Sequence, residues 1–231
     1  MPASPKPTPA PARAYGGVAL EERVAARRAR FIAAAIELFG TQGFRGATVR
    51  RICAAAGLTD RYFYESFESL EALLGEVFRT LTGQFAARLS EAAARFQFEH
   101  PGPVDSATIE SQANVGYELW FDFVRDPRFA RIVLVEVLGV SPAIDALYEE
   151  LLRAMADLTI ATLIAMQPTI RLPRARRELL GRALVGCGQQ VAKMWMTGGY
   201  RLPRRDVVRT CVLVATGTLA ALRAEADAAQ A

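Results

Sequence analysis

The chain has 231 residues, 52% of them hydrophobic, and a formal net charge of +4, enough for one large domain or a small domain joined to a larger one. His100 is the only histidine, so neither a His-based metal cluster nor a Ser/His/Asp triad can be built within one chain, and no metal, cofactor or catalytic site is expected. Cys53, Cys187 and Cys211 show no C-x-x-C spacing and fall in apolar surroundings, which reads as buried thiols in a reducing compartment.

Charge is unevenly placed. Residues 1–67 hold ten Lys or Arg against five Asp or Glu, and residues 68–231 hold eighteen against nineteen. A basic N-terminal part suits a surface that faces phosphates, because counterion release supplies much of the affinity for DNA. Arginine accounts for 26 of the 28 basic residues, so a compositional bias also explains part of the surplus. The longest uncharged apolar runs, 158–166 and 211–222, fall short of the ~18 residues of a membrane span. The proline-rich N-terminus has no apolar core of the kind a signal peptide needs. The expectation is a cytoplasmic protein with no membrane partner.

In chain order, residues 1–18 alternate Pro with small residues and contain little to bury, which predicts a disordered arm. Lys6 and Arg13 on it read either as a passive solvated tail or as contacts to a neighbouring groove. From Leu20 to Phe39 apolar residues recur on one helical face, at Val24, Phe31, Ile32, Ala35, Leu38 and Phe39, and Gly40 and Gly43 follow as stop signals. Arg27, Arg28 and Arg30 stay outside that face, free to reach phosphate or to pair with Glu21 and Glu22.

The stretch 48–67, TVRRICAAAGLTDRYFYESF, carries the functional signal. Thr48 and Thr59 are N-cap residue types, each placed to open a short helix. Gly57 sits where the first helix must stop with positive φ, and Ala54, Ala55 and Ala56 are small enough for a close crossing. With Ile52, Leu58, Phe63 and Phe67 buried together, Arg50, Arg51, Thr59, Asp60, Arg61, Tyr62 and Tyr64 remain near the surface. This is a helix-turn-helix whose second helix has the size and chemistry for a major groove.

The run from about Val24 to Leu74 resembles the DNA-binding domain of the TetR family of transcriptional regulators. The resemblance rests on Leu38-Phe39, Gly43-Phe44, Thr48, Ile52, Ala56-Gly57, Thr59, Phe63-Tyr64, Phe67 and the 71–74 segment. It implies that Thr48 and Tyr64 grip phosphate and that the helix from Thr59 to Tyr64 reads base edges. Arg61 is the foremost candidate reader, since a guanidinium can hold guanine O6 and N7 through two hydrogen bonds. Tyr62 is a candidate for a thymine methyl. Asp60 suits the helix macrodipole at the first helical position, with a cytosine amino group as the alternative. Leu70 stands where many family members place a phosphate-binding Lys, so that contact is either lost or moved to Arg45, Arg50 or Arg51.

Residues 69–98 read as one helix of roughly 45 Å, with Leu73, Leu74, Val77, Phe78, Leu81, Phe85, Leu89 and Phe96 inward. It ends at His100-Pro101-Gly102-Pro103. Beyond it, Pro127, Pro142, Pro173 and Pro203 mark helix starts and divide the chain into helices at about 106–125, 127–137, 142–167, 173–197 and 203–226. The expected fold is all-α, with nine helices in the TetR-like order. A three-helix head within residues 19–85 is joined by the long fourth helix to a ligand-binding and dimerisation domain, residues 86–231.

Gly181, Ala183, Gly186, Gly188, Ala192, Ala215, Gly217, Ala220 and Ala221 make the last two helices unusually small-faced. The resemblance implies that these helices, about 173–197 and 203–226, form the interface of a homodimer on a pseudo-palindromic double-stranded DNA operator. It also implies a pocket for a small, mostly hydrophobic effector. The candidates to line it are Asn114, Tyr117, Trp120, Phe121, Met155, Gln189 and Trp195, with Gln112 and Gln190 as further polar candidates. Glu136 reads as a counter-charge for a cationic ligand or as the partner of Arg131. The functional expectation is a DNA-binding transcriptional regulator, a repressor released by its ligand. An activator or ligand-independent regulator of the same fold is the alternative, and a helical enzyme ranks below both.

Overall fold

The computed structural model describes residues 15–167 and 169–228. Its elements are α1 (Tyr15–Gln42), a 3-10 turn (Phe44–Gly46), α2 (Val49–Ala56), α3 (Asp60–Ser66), α4 (Leu70–Glu99), α5 (Ser106–Phe123), α6 (Pro127–Arg131), α7 (Pro142–Ala165), α8 (Arg174–Thr197) and α9 (Arg204–Ala228). A π-helical turn, Ile132–Glu136, continues directly from α6. Among the described residues the fold is all-α with nine α-helices, as the sequence predicts. The arm expected over residues 1–18, with Lys6 and Arg13, lies outside the described residues up to position 14. From Tyr15 the chain is already helical.

Helix starts follow local chemistry. Thr48, Ser69, Asp105, Asp126 and Ser141 each accept a backbone N–H of the first turn that follows, satisfying a donor that has no intrahelical partner. Thr59 makes no such side-chain bond, so its hydroxyl is not used as a cap. Pro127 and Pro142 occupy first helical positions. Pro173 is instead the residue before α8, and Pro203 precedes α9.

Two glycines near the end of α1 have different tasks. Gly40 does not stop the helix: a Cβ there would lie 2.4 Å from Arg128 Cβ, so its missing side chain lets α6 cross α1 closely. Gly43, at φ +82°, is where the backbone leaves the helix.

Buried residues form one continuous core from Phe31 and Phe39 of α1 through Leu74 and Phe78 of α4 to Trp195 of α8 and Val212 of α9. A second cluster at the far end joins Phe96, Ile109, Leu163, Met166, Leu184 and Leu219. Helix α7 runs along α8, and α5 along α9. One described helix, α9, is long and apolar enough in composition to cross a membrane, with a mean hydropathy of 1.5 over an 18-residue window. Val207, Val208, Cys211, Val212, Ala215, Leu219 and Leu222 give α9 one buried face within the bundle.

Candidate nucleic-acid interface and effector cavity

The turn between α2 and α3 is locked by backbone chemistry. Gly57 adopts φ 61° and ψ 37°, its amide bonds Ala54 O at 3.2 Å, and the Leu58 amide bonds Cys53 O at 3.0 Å. This pair of bonds is a Schellman motif and sets the angle at which α3 leaves. Phe63 then packs edge-on against Phe31 at 5.5 Å and tilted against Phe67 at 5.9 Å. Of the three alanines before the turn, only Ala56 is buried; Ala54 and Ala55 face solvent.

The predicted DNA-facing residues divide by environment. Arg45, Thr48, Arg50, Thr59, Asp60, Arg61 and Tyr64 are exposed. Among the described residues Arg61 pairs only with Glu65, at 2.9 Å, and its side chain is 85% exposed. Arg51, although exposed, is engaged: it donates to Gly46 O at 2.8 Å and to the Gln42 side chain, which ties α2 to the end of α1. Tyr62 is half-buried, with the Arg27 guanidinium 4.6 Å from its ring centroid, so its ring faces α1. Burial, reinforced by the neighbouring Asp60 carboxylate, pushes the Cys53 thiol up to about 11.

The arginines of α1 brace the head. Arg28 donates to Ser66 O, pairs with Glu76 at 3.8 Å and lies 4.4 Å from the Phe67 ring centroid. Arg30 donates to Gly57 O at 3.2 Å. Sequence reading considered phosphate or Glu21 and Glu22 for these residues, and carbonyl groups 27 and 38 positions away carry no signal in local spacing. Leu70, at the start of α4, packs on the head core.

A cavity of about 150 Å³ lies among α4, α5, α7 and α8. Of the predicted ligand contacts, Tyr117, Trp120, Met155 and Gln189 line it, as does Gln112. Three do not. Asn114 is exposed on the outer face of α5. Phe121 and Trp195 pack edge-on against each other at 5.7 Å in the core nearer the head, and the Trp195 indole donates to Leu202 O at 2.8 Å. Sequence reading missed the α4 wall, Phe78, Thr82, Phe85 and Leu89, because it assigned that helix's apolar face wholly to core.

Among the described residues no charged side chain lines the cavity. Trp120 is held by its indole N–H to Gly188 O at 3.0 Å, and Tyr148 reaches Gln189 Oε1 at 3.4 Å. Burial raises the Tyr117 phenol above its ordinary range, so it stays protonated and can donate. The Gln112 side chain and the Gln189 amide nitrogen offer hydrogen bonds in a mainly apolar space, where Thr82, Thr159 and Thr162 spend their hydroxyl donors on their own helices.

Cavity and head meet at the π-helical turn. Val133 of that turn lines the cavity. On either side of it, Arg131 Nε and Glu136 Oε1 pair at 2.7 Å, Arg131 also donates to Thr41 O at 2.9 Å, and Glu136 accepts the Phe44 amide at 2.7 Å. Nearby, Arg128 bridges Glu37 of α1 and Asp126, each at 2.6 Å, and holds the Asp126 carboxyl below its usual range.

Comparison with known proteins bears on the head and on the fold. Residues 31–77 match the family model of bacterial regulatory proteins, tetR family. The HTH-type transcriptional repressor KstR2 of Rhodococcus jostii (strain RHA1) is 30% identical over 92 residues, a match spanning 40% of this chain and 42% of that protein. Among solved structures, the regulator FadR of Bacillus subtilis in complex with stearoyl-CoA is similar with a TM-score of 0.68 at 16% identity, covering 81% of this chain and 96% of its own. The fatty acid degradation regulator FadR of Bacillus halodurans is similar at 0.66 and 18%, covering 83% and 95%. A tetR-family transcriptional regulator from Streptomyces coelicolor gives 0.61 and 23%, covering 87% and 82%.

Proposed function

We infer, from a chain that belongs to the TetR family of bacterial regulatory proteins, a homodimeric transcriptional repressor released from its operator by a small, mostly hydrophobic ligand. Residues 19–85 would be the DNA-binding domain and residues 86–231 the ligand-binding and dimerisation domain, in a cytoplasmic protein without enzymatic activity. The observation that carries this reading is the double role of α4. Its first turns close the core of a head that exposes Thr59, Arg61 and Tyr64, and its middle supplies Phe78 and Phe85 to the cavity wall.

A cavity of 150 Å³ is smaller than the ~300–1,000 Å³ that enclose drug-sized ligands. A ligand of that size must therefore push its walls apart, and two of those walls, α4 and the turn at Val133, are joined to the head. Binding would favour a conformer in which two heads no longer fit successive major grooves. The B. subtilis neighbour, in complex with stearoyl-CoA, supports a long apolar effector.

The dimer is supported by what α8 and α9 leave outside. Leu179, Ala183, Gln190 and Met194 form an exposed stripe on α8 that also includes the half-buried Gly186, and Leu213, Gly217, Ala220 and Ala221 form one on α9. Paired with their copies, these would make a four-helix interface.

Selecting bound fragments from genomic DNA with the purified protein, over a salt series, tests the reading. A pseudo-palindromic motif with half-sites one helical turn, ~34 Å, apart is expected. Salt-sensitive binding without any enriched sequence would refute a sequence-specific repressor.

A further inference from the structure

A second cleft, of about 410 Å³, opens where α7 gives way to α8, against Ile164, Ile170, Leu172 and Pro173, with Arg171 and Arg177 on its rim. The acids near it are already matched. Glu178 pairs with Arg153 and Arg182, and Glu225 with Arg176. Among the described residues no ion pair reaches Arg171 or Arg177; Arg177 spends only its Nε–H, on Leu172 O at 3.0 Å. Two unneutralised guanidinium groups over an apolar floor suit an oxyanion attached to an apolar body, because guanidinium binds carboxylate and phosphate through paired, charge-assisted hydrogen bonds.

The cleft also adjoins the central cavity. Leu163 and Met166 of the α7 end line the cavity while Ile164 lines the cleft. On α8, Arg177 of the cleft and Leu184 of the cavity are seven residues apart, ~10 Å along the axis. Met166, Ile170, Leu172 and Leu184 belong to one apolar cluster. What separates the two spaces includes Met166, an unbranched, adaptable side chain, beside Gln167, whose amide is held by Val104 O at 3.0 Å and by Arg223 at 2.7 Å.

We propose that the effector is an anionic amphiphile whose oxyanion is held by Arg171 and Arg177 and whose apolar tail enters the central cavity. This rests on the reading of that cavity as the effector site and adds to it a charged pole that the cavity's own lining lacks. Such a ligand would wedge the α7 end apart from α8 on entering, far from the head, while its tail pressed on Phe85 and Phe78 nearer to it.

Calorimetric titration of the full-length protein with decanoate, decanoyl-CoA, methyl decanoate and coenzyme A, repeated on Arg171→Ala/Arg177→Ala, tests this. The expected result is that decanoate or decanoyl-CoA binds more tightly than the methyl ester, and that the double variant weakens that anion about tenfold or more while the ester is unchanged. Binding of decanoate identifies a carboxylate head; binding of decanoyl-CoA alone identifies the phosphates. Extending the tail from eight to twelve carbons should tighten binding severalfold per methylene. Equal affinity for ester and anions, untouched by the double variant, would overturn the anion seat and leave the cavity reading standing. Coenzyme A binding as tightly as its acyl ester would overturn the entry of the tail. Failure of every acyl probe to bind would overturn both.

Discussion

Glu136 accepts the Phe44 amide at 2.7 Å, joining two residues 92 positions apart in the chain. One belongs to the turn that opens the helix-turn-helix, and the other closes a π-helical turn that also carries Val133 into the cavity wall. A π turn has an extra residue per loop relative to an α turn and recurs at functional sites. Here it lets Arg131 and Glu136, five positions apart, meet at 2.7 Å. The pair then presents both a donor to Thr41 O and an acceptor to Phe44 N.

The bond to Phe44 should therefore be measurable as stability. Replacing Glu136 by Ala strands the Phe44 amide and leaves Arg131 with Thr41 O but no carboxylate, which should cost about 1–3 kcal/mol in urea denaturation. Glu136→Gln keeps an acceptor for the amide and should cost less. An unchanged midpoint for the alanine variant would mean that water replaces the carboxylate without loss, and that the clamp does not fix the head.

Within the head, the arginines should not behave alike on DNA. Arg61→Ala should relax sequence preference, weakening the specific site by roughly 5- to 150-fold, the range for loss of one bidentate base contact, with little effect on non-specific binding. Arg45→Ala and Arg50→Ala should weaken all sequences and lower the salt slope by about one each. Arg51→Ala should act differently again: because this side chain ties α2 to Gly46 and Gln42, it should lower the thermal midpoint as well as affinity. Binding isotherms on specific and scrambled duplexes at several salt concentrations would separate the three behaviours. An Arg61→Ala variant with unaltered preference would remove it as a reader.

The contrast between Arg51 and Arg61 also shows what sequence could supply. Local chemistry was legible: the cap at Thr48, the left-handed Gly57, the apolar positions of α4 and the two proline-led helices at 127 and 142 all follow from neighbours a few residues away. Long-range partnerships were not. That Gly40 is a crossing point and not a stop depends on Arg128, and that Phe121 and Trp195 pair away from the cavity depends on how α5 meets α8. A large aromatic on an apolar helix face looks the same from sequence whether it fills a core or walls a cavity. Small residues were similarly ambiguous.

Two glycines of α8 turn that ambiguity into a test. A Cβ at Gly181 would stand 2.6 Å from Ala156 O of α7, whereas one at Gly186 meets nothing within 4 Å. Gly181→Ala should force α7 and α8 apart and destabilise the subunit by an overpacking cost of about 1–3 kcal/mol. Gly186→Ala should leave the subunit as stable or more so, since alanine favours a helix over glycine by about 1 kcal/mol. Gly186→Trp should instead split the proposed dimer. Sedimentation at micromolar concentration should show Gly186→Trp as a folded monomer, and a dimer unaffected by that substitution would exclude this face of α8 from the interface.

The three thiols should differ in reactivity, and two of them should shape the alkaline limit of stability. Cys53 and Cys211 are buried and Cys187 is partly exposed. Burial, aided by Asp60, pushes Cys53 up to about 11, and burial beside Cys187 pushes Cys211 up to about 12. In the unfolded chain these two thiols ionise near the ordinary thiol value of 9.0. Between pH 9 and 11, then, the unfolded chain releases these protons while the folded chain keeps them, so rising pH favours unfolding. Stability should be flat below pH 9 with respect to these groups and fall from there to about 11 for Cys53 and about 12 for Cys211. Cys53→Ala should make that fall shallower, since it removes one of the two protons involved. Thiol titration with a disulfide reagent at pH 8 should modify Cys187 first, with Cys53 and Cys211 reacting only as fast as the protein opens. Rapid native-state labelling of Cys53 would mean that α2 and α3 separate readily, and that the head is looser than the packing of Phe31, Phe63 and Phe67 requires.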